Sequence, residues 1–257
     1  MTSVPQKKPP FQWQPNRKIL LFSVVMLPVL LALGCWQLQR ADEKQQILNQ
    51  YQTNRQLPPV TNNQALDTDQ DQQYRLAWLQ GKVDNDRAII LDNRVKSGRP
   101  GYEILQVVAI KGADKKLLLN RGWVPAHLDR TILPSFPPLK GNVQLRGYLY
   151  RTLEGGYQLD DGVRTIADRP TRVGWVTVER AAQLFDEPFY PYQLRLDQDS
   201  PGALQTGWPT VSVQPQKHTA YAVQWFAMAA TLLILTIVAN SNLSSLFKKS
   251  TQEKPTN

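Results

Sequence analysis

Two uncharged apolar runs constrain this chain more than anything else in it. Residues 19–36 read ILLFSVVMLPVLLALGCW, 18 positions without a charge, and residues 221–239 read YAVQWFAMAATLLILTIVA, 19 positions without one. As a helix, the first run is about 27 Å long, close to the ~30 Å hydrocarbon core of a bilayer. Both outrun the apolar stretch of an ordinary soluble core helix, and they predict two transmembrane helices. Pro28 interrupts the first run, which membrane helices tolerate when neighbours satisfy the freed carbonyl. Trp36 closes the first run, and Tyr221 and Trp225 open the second, where amphipathic rings suit the headgroup zone.

Charge supplies the orientation. Residues 1–18 carry +4 with no acid, residues 240–257 carry +2, and everything between adds only +3 to the total of +9. Basic flanks stay on the cytoplasmic side, so both tails are expected there. Residues 37–220 then form one large extracytoplasmic domain. Because most of the excess charge sits in short tails, the basic balance is no nucleic-acid footprint. Cleavage after the first run is not expected. Leu31 to Cys35 (LALGC) lacks the leucine of a lipoprotein box three places before Cys35, and the basic flank lies far from Met1. The proline-interrupted tail cannot form an amphipathic presequence, so the expected setting is a bacterial inner membrane.

Between the runs the pattern changes twice. Residues 37–51 are rich in Gln, Glu, Lys and Leu without Gly or Pro, which predicts that the first helix continues out of the membrane. Residues 52–73 are polar, contain Pro58-Pro59, and read as loop. Short apolar runs then predict strands at 75–83, 88–91, 102–110, 116–124, 143–151, 174–178 and 192–196. Asp84-Asn85-Asp86 and residues 111–114 look like hairpin connections, and residues 179–185 like a helix. The expected fold class is a membrane-anchored α+β protein. Two transmembrane helices flank a mainly antiparallel β extracytoplasmic domain, for which a barrel is one candidate closure.

Few residues carry chemistry. One cysteine excludes an internal disulfide or a Cys-rich metal site, and two separated histidines leave little for a His cluster. No phosphate-binding glycine loop and no GxSxG occurs. Asp160-Asp161 before Gly162 reads as a turn, and His127 as a surface histidine. His218 differs. At helical spacing it shares a face with Tyr221, Ala222 and Trp225 at the outer interface, where a neutral imidazole can ligate iron or copper. Residue types alone favour an interfacial anchor over a ligand. Gln224 calls for a partner on the other helix, near Trp36, Gln37 and Arg40. Arg40 and Lys44, four apart, could hold lipid headgroups or the propionates of a porphyrin. Plain snorkelling is the more ordinary role for them.

Four segments in order resemble the surfeit locus protein 1 family of cytochrome c oxidase assembly factors. They are Gly34-x-Trp36-Gln37-x-x-Arg40-x-x-x-Lys44; Gly81-x-Val83 with Leu91 to Arg94 and Gly98 to Glu103; Leu119 to Pro125 (LNRGWVP); and His218-x-x-Tyr221-Ala222-x-Gln224-Trp225-Phe226. The resemblance implies a non-enzymatic factor for terminal haem-copper oxidase biogenesis, binding or handing over haem a during maturation of subunit I. It implies His218 as the haem iron ligand, with Tyr221, Trp225 and Arg40 in the cofactor site. It also implies oxidase subunit I, and with it haem a synthase, as partners alongside membrane lipid. A scaffold that stabilises oxidase intermediates without touching haem is the alternative. Arg121 and Trp123 are expected to be fold determinants.

Overall fold

The fold is that of a computed structural model describing residues 11–61, 66, 70–152, 162–163, 165–166 and 169–243. Asp160 and Asp161 lie outside these residues. The chain divides into two compact units. One comprises Met1–Ile47 with Val211–Asn257, and the other Leu48–Thr210.

The first unit is a pair of helices. Helix α1 runs over Arg17–Gln56, about 60 Å at 1.5 Å per residue, and its last turns belong to the second unit. Asn16 starts it: the side-chain oxygen accepts from the backbone N–H groups of Lys18 (3.1 Å) and Ile19 (3.4 Å). Pro58 ends it, because the residue before a proline is driven out of the helical region. The other helix of this unit, α3, runs over Pro215–Ala239, with Pro215 in the first turn, where a missing N–H costs nothing. Both helices are long and apolar enough to cross a membrane.

Among its described residues the second unit is a closed β-barrel with one helix of its own besides the last turns of α1. Its strands are β1 (Leu76–Lys96), β2 (Arg99–Ile110), β3 (Lys116–Pro125), β4 (Asn142–Tyr150), β5 (Thr171–Val173) and β6 (Phe189–Leu196). Hydrogen bonding closes the ring β1-β2-β3-β6-β4-β1, and β5 lies beside β1. The pairs β3–β6 and β1–β5 are parallel and the other four antiparallel, so the sheet is mixed. Alternation sorts the side chains of each strand. Leu117 and Leu119 point into one apolar cluster with Leu79, Leu145, Leu149 and Leu194. Leu118, between them, points the other way, into a second cluster under helix α2 (Val178–Phe185) with Leu105, Val107 and Ala181. Thr177 caps α2 by accepting from the Arg180 N–H at 3.2 Å.

Three expectations are corrected. Asp84-Asn85-Asp86 is not a hairpin. It is a wide bulge inside one continuous 21-residue strand, where pairing jumps from Val83↔Val108 to Ala88↔Gln106. Asp84 stabilises the bulge locally by accepting from the backbone of Asp86 (3.0 Å) and Arg87 (3.2 Å) and from the Arg87 guanidinium (2.7 Å). Residues 174–178 are not a strand; β5 ends at Val173, and the segment leads into α2. Residues 52–73 are not all loop. The helix extends to Gln56, and Val60 is fully buried, exchanging backbone hydrogen bonds with Leu76 and Trp78.

Candidate functional site

The seam between α1 and α3 is built from small side chains at heptad-like spacing. Pro215, Ala222, Ala229 and Thr236 are buried on α3, and Ser23, Leu30, Gly34 and Ala41 on α1. Small residues let helix backbones approach without a hydrophobic driving force between them. Gly34 shows how close the approach is: a Cβ there would lie 2.6 Å from the Phe226 ring. Ser23 and Thr236 share a hydroxyl hydrogen bond of 2.5 Å. Below it, residues 12–16 run antiparallel to residues 240–242. Gln14 N–H donates to the Asn240 carbonyl (2.6 Å), Asn16 N–H to the Asn240 side chain (2.5 Å), and Asn242 N–H to the Gln12 carbonyl (3.1 Å).

His218 lies in the first turn of α3 at the opposite end of this seam and is half-buried. Its Nδ1 sits 2.8 Å from Oε1 of Gln37 on α1. Tyr221 and Trp225 follow on the same face of α3, Tyr221 exposed and Trp225 half-buried. The expected amide contact between the helices exists, but through another residue: Gln37 makes it, while Gln224 faces outward. In sequence Gln37 was named as a candidate partner for Gln224; helix phase decides that it meets the imidazole instead. Arg40 lies nearly one turn further along α1. Its guanidinium pairs with Glu43 at 2.7 Å and stands 5.8 Å from the Trp36 ring. Both partners of that pair are about half exposed (46% and 52%), so the pair is worth less than ~1 kcal/mol and is easily exchanged. Lys44 is half-buried.

Chemically, the arrangement offers one imidazole nitrogen flanked by aromatic surface. Among the described residues no group of three His, Cys, Asp or Glu is placed to hold a bare metal ion. A prosthetic group that brings its own equatorial ligands needs only the single imidazole, and the donor set fits it.

The remaining motif residues are joints of the barrel. Arg121 is fully buried at a bulge in β3. It donates to the carbonyls of Gly202 (2.8 Å) and Pro137 (2.9 Å) and to Oε1 of Gln106 (2.8 Å). It has no ion pair among the described residues, and burial lowers its pKa. Gly122 sits at φ +117, with the Gln205 carbonyl where a Cβ would be. Trp123 donates from Nε1 to the Arg94 carbonyl (2.8 Å), and Asn120 to Glu103 (2.6 Å). Asp92 receives both Arg130 and Arg172. An open groove of about 450 Å³ beside the β1 bulge is lined by Lys82, Asp84, Asp86, Arg87 and Lys116. Burial raises the Asp84 pKa, but hydrogen bonds from Arg87 and two backbone amides outweigh it, and the net shift is downward. His127 is exposed.

A model of the SURF1 family matches residues 24–230, from the first apolar run into the second. The chain belongs to the SURF1 family. The matched span includes every site residue of the two helices and the whole barrel. The chain is also similar to the "Cytochrome oxidase assembly protein SHY1" of Saccharomyces cerevisiae, 25% identical over 112 residues. That alignment covers 42% of this SURF1 family chain and 29% of the yeast protein's length.

Proposed function

We propose that this protein is a membrane-anchored assembly factor for cytochrome oxidase that holds haem a on His218 while subunit I matures. Membership of the SURF1 family and the similarity to a yeast oxidase assembly protein support the assembly role. The apolar surface of the helices supports the anchor: in the most apolar window of each, only 17% is buried within the protein. Leu21, Phe22, Val24, Leu233, Ile234 and Leu235 face outward, which water disfavours and lipid accommodates. The basic tails support a cytoplasmic location for both ends, with the barrel periplasmic at a bacterial inner membrane.

The single observation carrying the cofactor reading is the bond between His218 and Gln37 in the two-helix unit. In this reading His218 would supply the nitrogen ligand, Tyr221 and Trp225 would pack against the macrocycle, and Arg40, now paired with Glu43, would be free to hold a propionate. The haem itself supplies an iron centre destined for the oxidase. A single protein ligand would hold the cofactor and still allow its release, which suits handover. Subunit I and haem a synthase are the expected partners. The chain is read as non-enzymatic, its residues binding and orienting rather than transforming.

The test is purification in mild detergent from cells that make haem a, followed by a redox difference spectrum. A haem spectrum is expected, and His218→Ala should reduce it at least tenfold while leaving expression unchanged. An unaltered spectrum in that variant would remove His218 from the site. Copurification of subunit I without haem at any occupancy would select the scaffold reading instead.

A further inference from the structure

We infer that Gln37 is a positioning residue: its amide oxygen holds the proton of His218 on Nδ1 and thereby leaves Nε2 as the nitrogen that binds iron. The purpose of this arrangement rests on the haem reading above; its existence does not.

An amide oxygen only accepts, so the nitrogen 2.8 Å from it must donate. A neutral imidazole has one N–H, and with that proton on Nδ1 the lone pair lies on Nε2. Nε2 has no hydrogen-bond partner among the described residues. A metal-binding histidine commonly gives its other N–H to an oxygen acceptor, which fixes the ring's rotation and raises the basicity of the ligating nitrogen. Here the acceptor stands on the opposing helix, three residues from Gly34, whose contact with Phe226 sets the spacing of α1 and α3. The amide is therefore held at the imidazole by backbone packing rather than by a mobile loop.

The second histidine provides a built-in reference. His127 accepts at Nδ1 from the backbone N–H of Asp129 at 3.0 Å, so its own proton lies on Nε2. The chain has two histidines, and they are expected in opposite tautomers.

The experiment is nitrogen NMR of the full-length, haem-free protein in detergent, labelled with ¹⁵N only at histidine, under conditions where both rings are neutral. His218→Ala assigns the signals. One ring of each tautomer is expected, with His218 in the Nδ1–H form. Gln37→Leu should shift His218 towards the Nε2–H form that an unconstrained histidine side chain prefers and leave His127 untouched, which also reports that the barrel remains folded. Gln37→Glu retains an acceptor and should retain the Nδ1–H form. With haem loaded, Gln37→Glu should also lower the reduction potential, because a carboxylate draws the Nδ1 proton more strongly. Finding His218 in the Nε2–H form in the unsubstituted chain, or unchanged in Gln37→Leu, would overturn the inference. Absence of haem from the purified protein, with the Nδ1–H form present, would defeat the haem reading alone.

Discussion

The barrel and the helix pair solve opposite problems with the same side chains. In the barrel, Leu117, Leu118 and Leu119 are all buried, because both faces of β3 are covered. Its largest fully buried side chain, Arg121, is surrounded by oxygen acceptors. In the helix pair most large apolar residues face outward, and apart from Leu30 and Pro215 what is buried is small or polar: Ser23, Gly34, Ala41, Ala222, Ala229, Thr236 and Asn240. Removal of apolar area from water, at about 25 cal/mol per Å², drives the first arrangement. Close backbone packing and a few hydrogen bonds hold the second, and under the proposed membrane anchoring its outward apolar side chains would face lipid. A substitution should therefore act through different physics in each unit.

The largest effect is expected from Arg121→Met. The longer fork is lost, and two carbonyls and the Gln106 side chain are left without their donor, so the barrel should lose about 3–5 kcal/mol. Thermal unfolding in detergent, followed by near-ultraviolet circular dichroism, measures it; a loss below ~1 kcal/mol would show that the buried cation is dispensable. Next is Gly34→Val in the helix pair, where the added side chain meets the Phe226 ring. A cost of about 1–3 kcal/mol is expected for such overpacking. Phe226→Ala should relieve it in the double variant, and the barrel's own transition should not move. Independent loss of stability in both units would break the proposed separation of forces.

The smallest effect is confined to alkaline solution. Burial pushes the Tyr148 phenol up to about 12, against the opposing pull of Arg195. Its folded pKa exceeds the unfolded value near 10, so its contribution is complete below pH 10 and is lost as pH rises from 10 through 12. At pH 11 Tyr148→Phe should lessen alkaline destabilisation by on the order of 1 kcal/mol. At pH 7 the same variant should leave that pH-linked difference at zero. A parallel loss at every pH would assign the tyrosine a packing role alone.

Much of this architecture was legible in the sequence because it is local. Uncharged apolar runs, helix-forming composition, short apolar strands and turn residues identified both long helices, α2 and most strands. The errors arose where local chemistry is ambiguous. Asp84-Asn85-Asp86 carries the residue types of a hairpin, yet the same residues also stabilise a bulge; only the partner strand, with Ala88 facing Gln106, distinguishes them. Closure of the barrel depends on the parallel pairing of β3 with β6, some seventy residues apart, such as Leu119 with Leu194, which no local pattern encodes. At the candidate site, residue type selected His218 but not its partner. Gln37 and Gln224 are chemically equivalent amides, and the rotational phase of two packed helices decides between them.

One feature of the helix pair bears on biosynthesis. Ser23 and Thr236 stand 213 positions apart, and residues 12–16 are tied to the segment just beyond α3. The leading helix therefore leaves the ribosome without its mate, and the intervening barrel can complete its own folding before that mate has been translated. A nascent chain stalled short of Asn240 would carry a finished globule and an unlatched leading helix, which gains its tie only once α3 and the residues just beyond it are made.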